Sequence, residues 1–478
     1  MVFKANPIKF GTDGWRGVIA ADFTFERVAQ VAPLCALVLR EYNPNSNLVV
    51  VGYDRRFLAE EFARVVAESL QEAGFDVLLS RDYAPTPAFS WAAKEKKALG
   101  ALVITASHNP PKYLGLKVKG SFGGSVGEEV TRKIENLLHQ SLQVQSASGG
   151  SLNIFDPWDS YCQQLRQQVN IDLITEAIDS GKIKIAADVM HGAAASGLGR
   201  LLGKDIIEIN SNRDPLFGGG APEPLPRYIT ELFNTMRQLA QSYPHSLRVG
   251  FVFDGDSDRI AVVDGEGNFC STQLLIPILI EHLAVRKKGS GEVVKTVSGS
   301  DLIPKVAQLF NLPVTETAIG YKYIAERMLS HKVLLGGEES GGVGYGHHIP
   351  ERDALLSALY LLEAMVESGQ DIRQLYDNLR QRVNFFSEYD RIDLPLESLE
   401  EKNRLQQLLT DNPLTEIAGK KVINLQTLDG YKYRLEDNSW ILFRFSGTEP
   451  LLRIYSEGSS RGVVEENLHW AKQWATEK

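Results

Sequence analysis

Three aspartates on alternate positions, Asp254, Asp256 and Asp258 in "FDGDSDR", carry the clearest chemistry in the chain. An extended loop projects alternate side chains to one side, so the three carboxylates would share one space. Carboxylates a few ångströms apart repel by about 1–4 kcal/mol per pair, depending on the effective dielectric. A hard divalent cation removes that cost, and a ligand set made only of oxygen suits Mg2+. The bland alternative is a turn, since Asp and Gly are common turn residues. Arg259 adds a fixed positive charge beside the cluster.

Three further apolar runs end in polar loops of the same design. "ALVI" runs into "TASHNP" with Ser107 and His108, "KVLL" into "GGEESGG" with Glu338 and Ser340, and "SWILF" into "RFSGTEP". In the last loop Arg444, Ser446, Gly447 and Thr448 offer a guanidinium fork, two hydroxyls and exposed backbone amides, a set suited to a phosphate dianion. A hairpin or helix-entry turn explains the same residues as well. Glu338 and Ser340 could accept from and donate to a polyhydroxyl ligand, or belong to a Gly-rich structural turn. Ser107 alone reads as a cap or turn before Asn-Pro, and the G-x-S-x-G elbow of a hydrolase is missing around it. The remaining histidines show no zinc spacing, and no P-loop or dinucleotide fingerprint follows a strand.

The elements that must position these loops alternate along the chain. "NLVVVGYD" (Asn47 to Asp54) reads as a buried strand, Ala59 to Gly74 as a helix stopped by Gly74, and "DVLLS" as the next strand. The cycle recurs at "KIKIAADVMHGAAASGLGRLLG" and "EVVKTVSGSDLIPKVAQLF", which predicts mixed or parallel sheets covered by helices. In open α/β sheets ligands gather at the carboxyl ends of strands, so four such loops could line a single cleft. Polar, Ser/Gly-rich residues 139–156 read as a linker, and further boundaries fall near Cys270 and within Ser387 to Lys402. The expected domains are 1–150, 151–270, 271–387 and 388–478, the last a small α+β unit.

At 478 residues, the chain is too long for one ordinary core. With 43% hydrophobic and 23% charged residues the composition is globular. A net charge of −9 argues against nucleic acid or an anionic membrane as partner, although positive charge can be local. Arg55, Arg56, Lys117, Lys295, Lys322 and Arg453 are among the cations near the loops. Cys35, Cys162 and Cys270 are odd in number and far apart, and read as free thiols in a reducing compartment. "LLIPILI" is too short to span a bilayer and no signal-peptide pattern opens the chain. A cytoplasmic protein, monomeric or homodimeric, is expected.

Taken in order, "FGTDGWRG", "TASHNP", "DGDSDR", "GEESGG" and "RFSGTEP" resemble the α-D-phosphohexomutases, the family of phosphoglucomutase and phosphomannomutase. The resemblance implies a four-domain α/β fold around a central cleft: three related mixed α/β domains and a smaller C-terminal α+β domain. It implies that Ser107 carries a phosphoryl group and that Asp254, Asp256 and Asp258, with the Ser107 phosphate, ligate Mg2+. Lys117 falls where the family's general acid/base falls. Arg16, Arg259 and His108 are grouped about the reacting phosphate. Glu338 and Ser340 match residues that bind sugar hydroxyls, and Lys295 and Lys322 fall where substrate-facing lysines are expected. Arg444, Ser446, Gly447 and Thr448 match the clamp on the phosphate that is not transferred, with Arg453 beside them.

Phosphorylated Ser107 would then convert a hexose 1-phosphate to a hexose 6-phosphate through a hexose 1,6-bisphosphate, which also serves as activator. A lysine beside Mg2+ and arginines would have a lowered pKa, fit for proton exchange with a sugar hydroxyl. "GEESGG" and "TAIGYKYI" look more like glucose-specific members, so glucose is favoured over mannose. Leu114 stands where the family commonly has Asn. The alternatives are a glucose 1,6-bisphosphate synthase drawing on another sugar bisphosphate, and a metal-dependent phosphatase with Asp254 as nucleophile.

Overall fold

The computed structural model describes residues 5–11, 13–140, 142, 144, 148–447 and 449–477. The chain forms two compact units, Met1–Glu292 with Gly320–Tyr376, and Val293–Ile319 with Asp377–Lys478.

The first unit contains a seven-stranded sheet. Its spatial order is Phe10–Gly11, Gly14–Val18, Tyr113–Gly120, Gly100–Ile104, Leu48–Tyr53, Asp76–Ser80, Leu152–Phe155. Leu48–Tyr53 lies parallel to both neighbours, and Gly100–Ile104 pairs antiparallel with Tyr113–Gly120. All five residues of Gly100–Ile104 are buried, which explains why this strand reads as continuously apolar and not alternating. Helices Phe25–Tyr42, Ala59–Glu72 and Thr86–Glu95 cover the sheet. Ala59–Glu72 turns Phe62, Ala63, Val66, Ala67 and Leu70 inward, the spacing of one helical face. The helix ends just before Gly74, whose φ of +88° lets the chain reverse into the next strand.

Residues 139–156, read as a linker, instead end in a strand. Leu152–Phe155 pairs parallel with Asp76–Ser80, because Asp76 accepts from both the backbone and the hydroxyl of Ser151 and fixes the register. The first sheet therefore extends past residue 150.

A second, five-stranded sheet runs Phe269–Cys270, Ile260–Val263, Leu247–Phe253, Ile183–Asp188, Ile207–Ile209. Leu247–Phe253 delivers the aspartate loop from a strand buried at six of its seven positions. "LLIPILI" lies in the buried helix Thr272–Glu281, and a hairpin of Val333–Gly337 and Val343–Tyr345 carries the glutamate loop at its closed end. No described helix is long and apolar enough to cross a membrane. The three cysteines are free and buried.

The second unit is built on a six-stranded antiparallel sheet from Glu388–Pro395 to Glu416–Ile417, packed against Arg461–Glu477. Its hairpin Trp440–Phe445 and Leu451–Gly458 carries the arginine loop. Strand Val314–Thr317 pairs parallel with Val293 to Thr296 in the same unit.

Candidate active site

Ser107 lies at the end of strand Gly100–Ile104 with a φ of 51°, in the left-handed region that a side chain rarely adopts. Local bonds hold it there. Its N–H donates to Thr105 Oγ1 at 2.9 Å, and the Thr105 hydroxyl donates to Asp54 Oδ2 at 2.6 Å. The Arg56 guanidinium donates to the carbonyls of Ser107 and Asn109, each at 2.6 Å, and to those of Pro110 and Tyr113. Four carbonyls on one buried arginine define the path of the loop. The serine side chain is not turned out to solvent: Ser107 is 1% exposed. Its Oγ donates to Asp254 Oδ2 at 2.9 Å, and His108 Nδ1 lies 3.3 Å from the same oxygen.

The aspartates converge by a different route from the extended loop expected of them. Ser257 takes a φ of 59° and donates its N–H to the Asp254 carbonyl, so the segment turns back on itself. Asp254 Oδ1 then accepts from the N–H groups of Asp258 and Arg259. Turning, not alternation, brings carboxylate oxygens of Asp254, Asp256 and Asp258 within 4.8 Å of one another. Gly255 packs against the serine loop so closely that a Cβ there would lie 2.4 Å from the Ser107 carbonyl oxygen.

Lys117, expected as the acid/base, comes from the strand antiparallel to the one that leads to Ser107. Its Nζ lies 2.8 Å from Asp13 Oδ2, 2.7 Å from Asp256 Oδ2 and 2.9 Å from Asp258 Oδ2. The expected lowering of its pKa is reversed here. Burial opposes its charge, but Asp13, Asp256 and Asp258 outweigh burial and hold the ammonium above the ordinary lysine range. The physical reason is that carboxylates, and not cations, are its immediate neighbours.

Other groups around the cluster divide between protonation states. Burial, reinforced by Asp258 and Asp256, holds the Asp254 carboxyl well above the usual range. Burial acts on Asp256 as well, but Lys117 and the Thr86 hydroxyl at 2.5 Å hold it ionised and low. Burial and the guanidiniums of Arg259 and Arg16 push His108 well below the ordinary imidazole range, leaving it neutral. Arg16 also binds Asn109 Oδ1.

Among the described residues, Asp256 Oδ1 and Asp258 Oδ1 are buried without a hydrogen-bond partner, as is Arg259 Nε. An unsatisfied buried oxygen costs about 1–3 kcal/mol, more when charged. Two such oxygens beside Asp254 and the Ser107 hydroxyl form an all-oxygen donor set that fits Mg2+.

Three participants escaped the sequence reading. Arg352 donates through one nitrogen to Asp258 Oδ2 at 2.7 Å and Asp13 Oδ2 at 2.9 Å, and lies 3.9 Å from Glu338. Asp13, within "FGTDGWRG", joins Lys117, Lys119 and Arg352; its place in that motif was the one available signal. Thr86 reaches Asp256 from a helix start without a distinctive motif. Glu338 is buried, its pKa raised by burial and offset in part by Arg352, and it accepts from Gly320 N–H at 3.0 Å. Ser340 is half-buried beside it, and Lys322 pairs with Glu128.

The second unit holds the other expected residues. Arg444 Nε donates to Asp429 Oδ2 at 2.9 Å, and Ser446 Oγ accepts from Glu449 N–H at 3.2 Å. Gly447 is exposed, with nothing within 4 Å of a notional Cβ. Arg453 lies 3.9 Å from Asp393, and Thr448 lies outside the described residues. Lys295 is 2% exposed, with its Nζ 2.7 Å from Glu316 and donating to the Gly299 carbonyl at 2.9 Å. Its amine is thus engaged inside its own unit, because strand pairing places Glu316 directly beside it.

Comparison with known proteins agrees along almost the whole chain. Phosphoglucomutase/phosphomannomutase family models match as alpha/beta/alpha domain I over residues 7–145, domain II over 159–267, domain III over 272–383 and the C-terminal domain over 400–469. A "Phosphoglucomutase/phosphomannomutase" of Thermococcus kodakarensis is 28% identical over 464 residues, covering 96% of each chain. A "Probable phosphoglucosamine mutase" of Methanosphaera stadtmanae is 30% identical over 470 residues, again covering 96% of each. Among solved structures, a "putative phosphomannomutase" from Thermus thermophilus superposes with a TM-score of 0.84 at 33% identity, covering 99% of this chain and 100% of that one.

Proposed function

We propose, from the premise that the chain belongs to the phosphoglucomutase/phosphomannomutase family of intramolecular phosphotransferases, that it interconverts the 1- and 6-phosphates of glucose through phosphorylated Ser107. One observation carries the reading. The Ser107 hydroxyl ends a buried strand 2.9 Å from Asp254, within the cluster that also holds Asp256, Asp258 and Lys117.

In the first half-reaction the bond between phosphorus and Ser107 Oγ breaks as the free hydroxyl of the hexose monophosphate attacks, and that hydroxyl gives up its proton. The product is a hexose 1,6-bisphosphate. After it turns over, Ser107 Oγ takes the other phosphoryl group, and the sugar oxygen left behind regains a proton. Lys117 is assigned that proton: its ammonium is the donor the second half-reaction needs, and in the first it accepts the sugar proton after passing its own to one of the carboxylates it touches, Asp13, Asp256 or Asp258. Neutral His108 orients the Ser107 hydroxyl from 3.3 Å, and Arg16 and Arg259 supply fixed charge for the transferring group.

Asp254, Asp256 and Asp258 would hold Mg2+, which offsets charge developing on the phosphoryl oxygens when bound. Glu338 and Ser340, with Lys322, are assigned to the sugar hydroxyls. Arg444, Ser446, Gly447 and Thr448, with Arg453, are assigned to the phosphate that stays in place.

A second reading replaces glucose by glucosamine, favoured by the name of the 30% identical relative. The test is one assay set on glucose, mannose and glucosamine 1-phosphates, each with and without the matching 1,6-bisphosphate. Fastest turnover of glucose supports the first reading, and turnover of glucosamine phosphate alone replaces it with the second. Net accumulation of glucose 1,6-bisphosphate when a different sugar bisphosphate is supplied as phosphoryl donor would identify a synthase, and release of free phosphate a phosphatase. Ser107→Ala should lower turnover about 10³-fold or more; retention of most activity would overturn the phosphoserine route.

A further inference from the structure

The hairpin that presents Glu338 and Ser340 has a second end. At its open end, Val333, Leu334 and Gly346 border a cavity of about 480 Å3 also lined by Leu283 and residues 287–290. The five-residue strand Val333–Gly337 separates this end from the glutamate loop by roughly 13 Å at the usual strand rise. The cavity is therefore distinct from the carboxylate cluster.

Its lining has a marked charge. Lys287, Lys288 and Lys332 border it, and no Asp or Glu among the described residues does. Lys287 lies 2.7 Å from Glu363, but that carboxylate already takes His282 at 2.8 Å and the Asn170 N–H at 2.7 Å. Lys332 donates to the Ser290 hydroxyl at 2.6 Å, which orders the ammonium without neutralising it. Lys288 has no carboxylate partner among the described residues and sits at a φ of 51°, in a turn closed by Gly289 N–H on the Leu283 carbonyl. Two positive charges thus stand unmatched on a protein whose net charge is −9. His347, bonded to the Tyr360 hydroxyl at 2.7 Å, adds an imidazole that burial, His348 and Lys287 pull down to about 4, so it is neutral at physiological pH.

We propose that this cavity binds a small organic anion carrying two phosphoryl groups, gripped by Lys287, Lys288 and Lys332 with Ser290 and His347 as hydrogen-bond partners. The volume lies in the range of small-molecule sites and exceeds what one phosphate fills. Ammonium groups held on separate segments suit separated anionic oxygens. Phosphoryl pairs of this kind occur on nucleotides and on sugar bisphosphates, and the experiment distinguishes the two.

Inorganic pyrophosphate is titrated calorimetrically into the full chain in EDTA, which removes divalent cations that would themselves bind pyrophosphate. The Lys288→Gln, Lys332→Gln double variant removes two exposed charges without stranding a carboxylate. It should bind pyrophosphate at least about 10-fold more weakly, while its mutase turnover without pyrophosphate stays within about twofold of wild type. ADP and fructose 1,6-bisphosphate are then added as competitors. Displacement by ADP assigns the site to nucleotides, and displacement by fructose 1,6-bisphosphate to sugar phosphates. Unchanged affinity in the double variant, no binding by the wild type at millimolar pyrophosphate, or displacement by neither competitor overturns the proposal.

Discussion

Arg352 answers two carboxylates with one nitrogen, and Lys117 answers the same two from strand Tyr113–Gly120. Neither cation suffices alone, since Asp13, Asp256 and Asp258 are three charges in one buried volume. Removing one partner from such a group typically costs about 3–5 kcal/mol, because the remaining charge keeps its burial without its compensation. Arg352→Met should therefore lower thermal stability strongly in EDTA. Mg2+ held as proposed would supply the same compensation to Asp258, so saturating Mg2+ should restore part of the loss and raise the melting temperature of the variant more than that of the wild type. Equal Mg2+ shifts in both proteins would show that the ion and Arg352 do not share a carboxylate. Arg352 also marks the limit of residue patterns. Asp254, Asp256 and Asp258 lie within five positions and announce themselves, whereas Arg352 meets Asp13 from 339 residues away and carries no local signature.

At the scale of elements, the serine and aspartate loops work because two strand ends meet with almost no space between them. Strands Gly100–Ile104 and Leu247–Phe253 were legible as apolar runs, and so was the polar loop after each. What could not be read was the fit between the loops, which depends on backbone atoms and on Arg56 gathering four carbonyls from a third loop. Alternation of the three aspartates suggested an extended segment; the left-handed Ser257 that actually gathers them has no sequence signal, since glycine would be the usual choice there. The stretch 139–156 misled for the opposite reason, its Ser and Gly content masking an edge strand fixed by Asp76. Gly255→Ala tests the fit directly. Its Cβ would stand 2.4 Å from the Ser107 carbonyl and 3.0 Å from Pro222, so the serine and aspartate loops must part. A loss of about 1–3 kcal/mol in stability and at least about 10-fold in kcat is expected from denaturation and steady-state assays. Wild-type values in both would show that the loops need not touch.

At the scale of the whole molecule, the chain is not cut in sequence order: the second unit takes Val293–Ile319 from the middle and joins it to Asp377–Lys478. The C-terminal resemblance made a small α+β unit legible, but nothing local announces that a central segment belongs with it. The join is polar and buried. Lys432 Nζ donates to the Val297 carbonyl at 2.7 Å beneath Trp440, whose ring centroid is 4.0 Å away, while Arg434 pairs with Asp301 at 2.6 Å and Glu457 accepts from Asp301 N–H at 2.9 Å. Burial, aided by the charge of Lys295, pulls Lys432 down to about 7. Below that pH the lysine is charged in both folded and unfolded chains, and the cost of burying the charge is fully present. Between about 7 and the ordinary lysine value near 10.4 the folded protein has released the proton and the unfolded chain has not, so stability rises with pH. Lys432→Met removes the titration. The stability of the wild type relative to this variant should therefore improve by on the order of a few kcal/mol from pH 6 to pH 9.5, read as the difference between their denaturation midpoints, with the Trp440 contribution to fluorescence changing near pH 7 only in the wild type. A constant difference across that range would mean that Lys432 stays charged, its ammonium held by the Trp440 ring and the Val297 carbonyl strongly enough to offset burial.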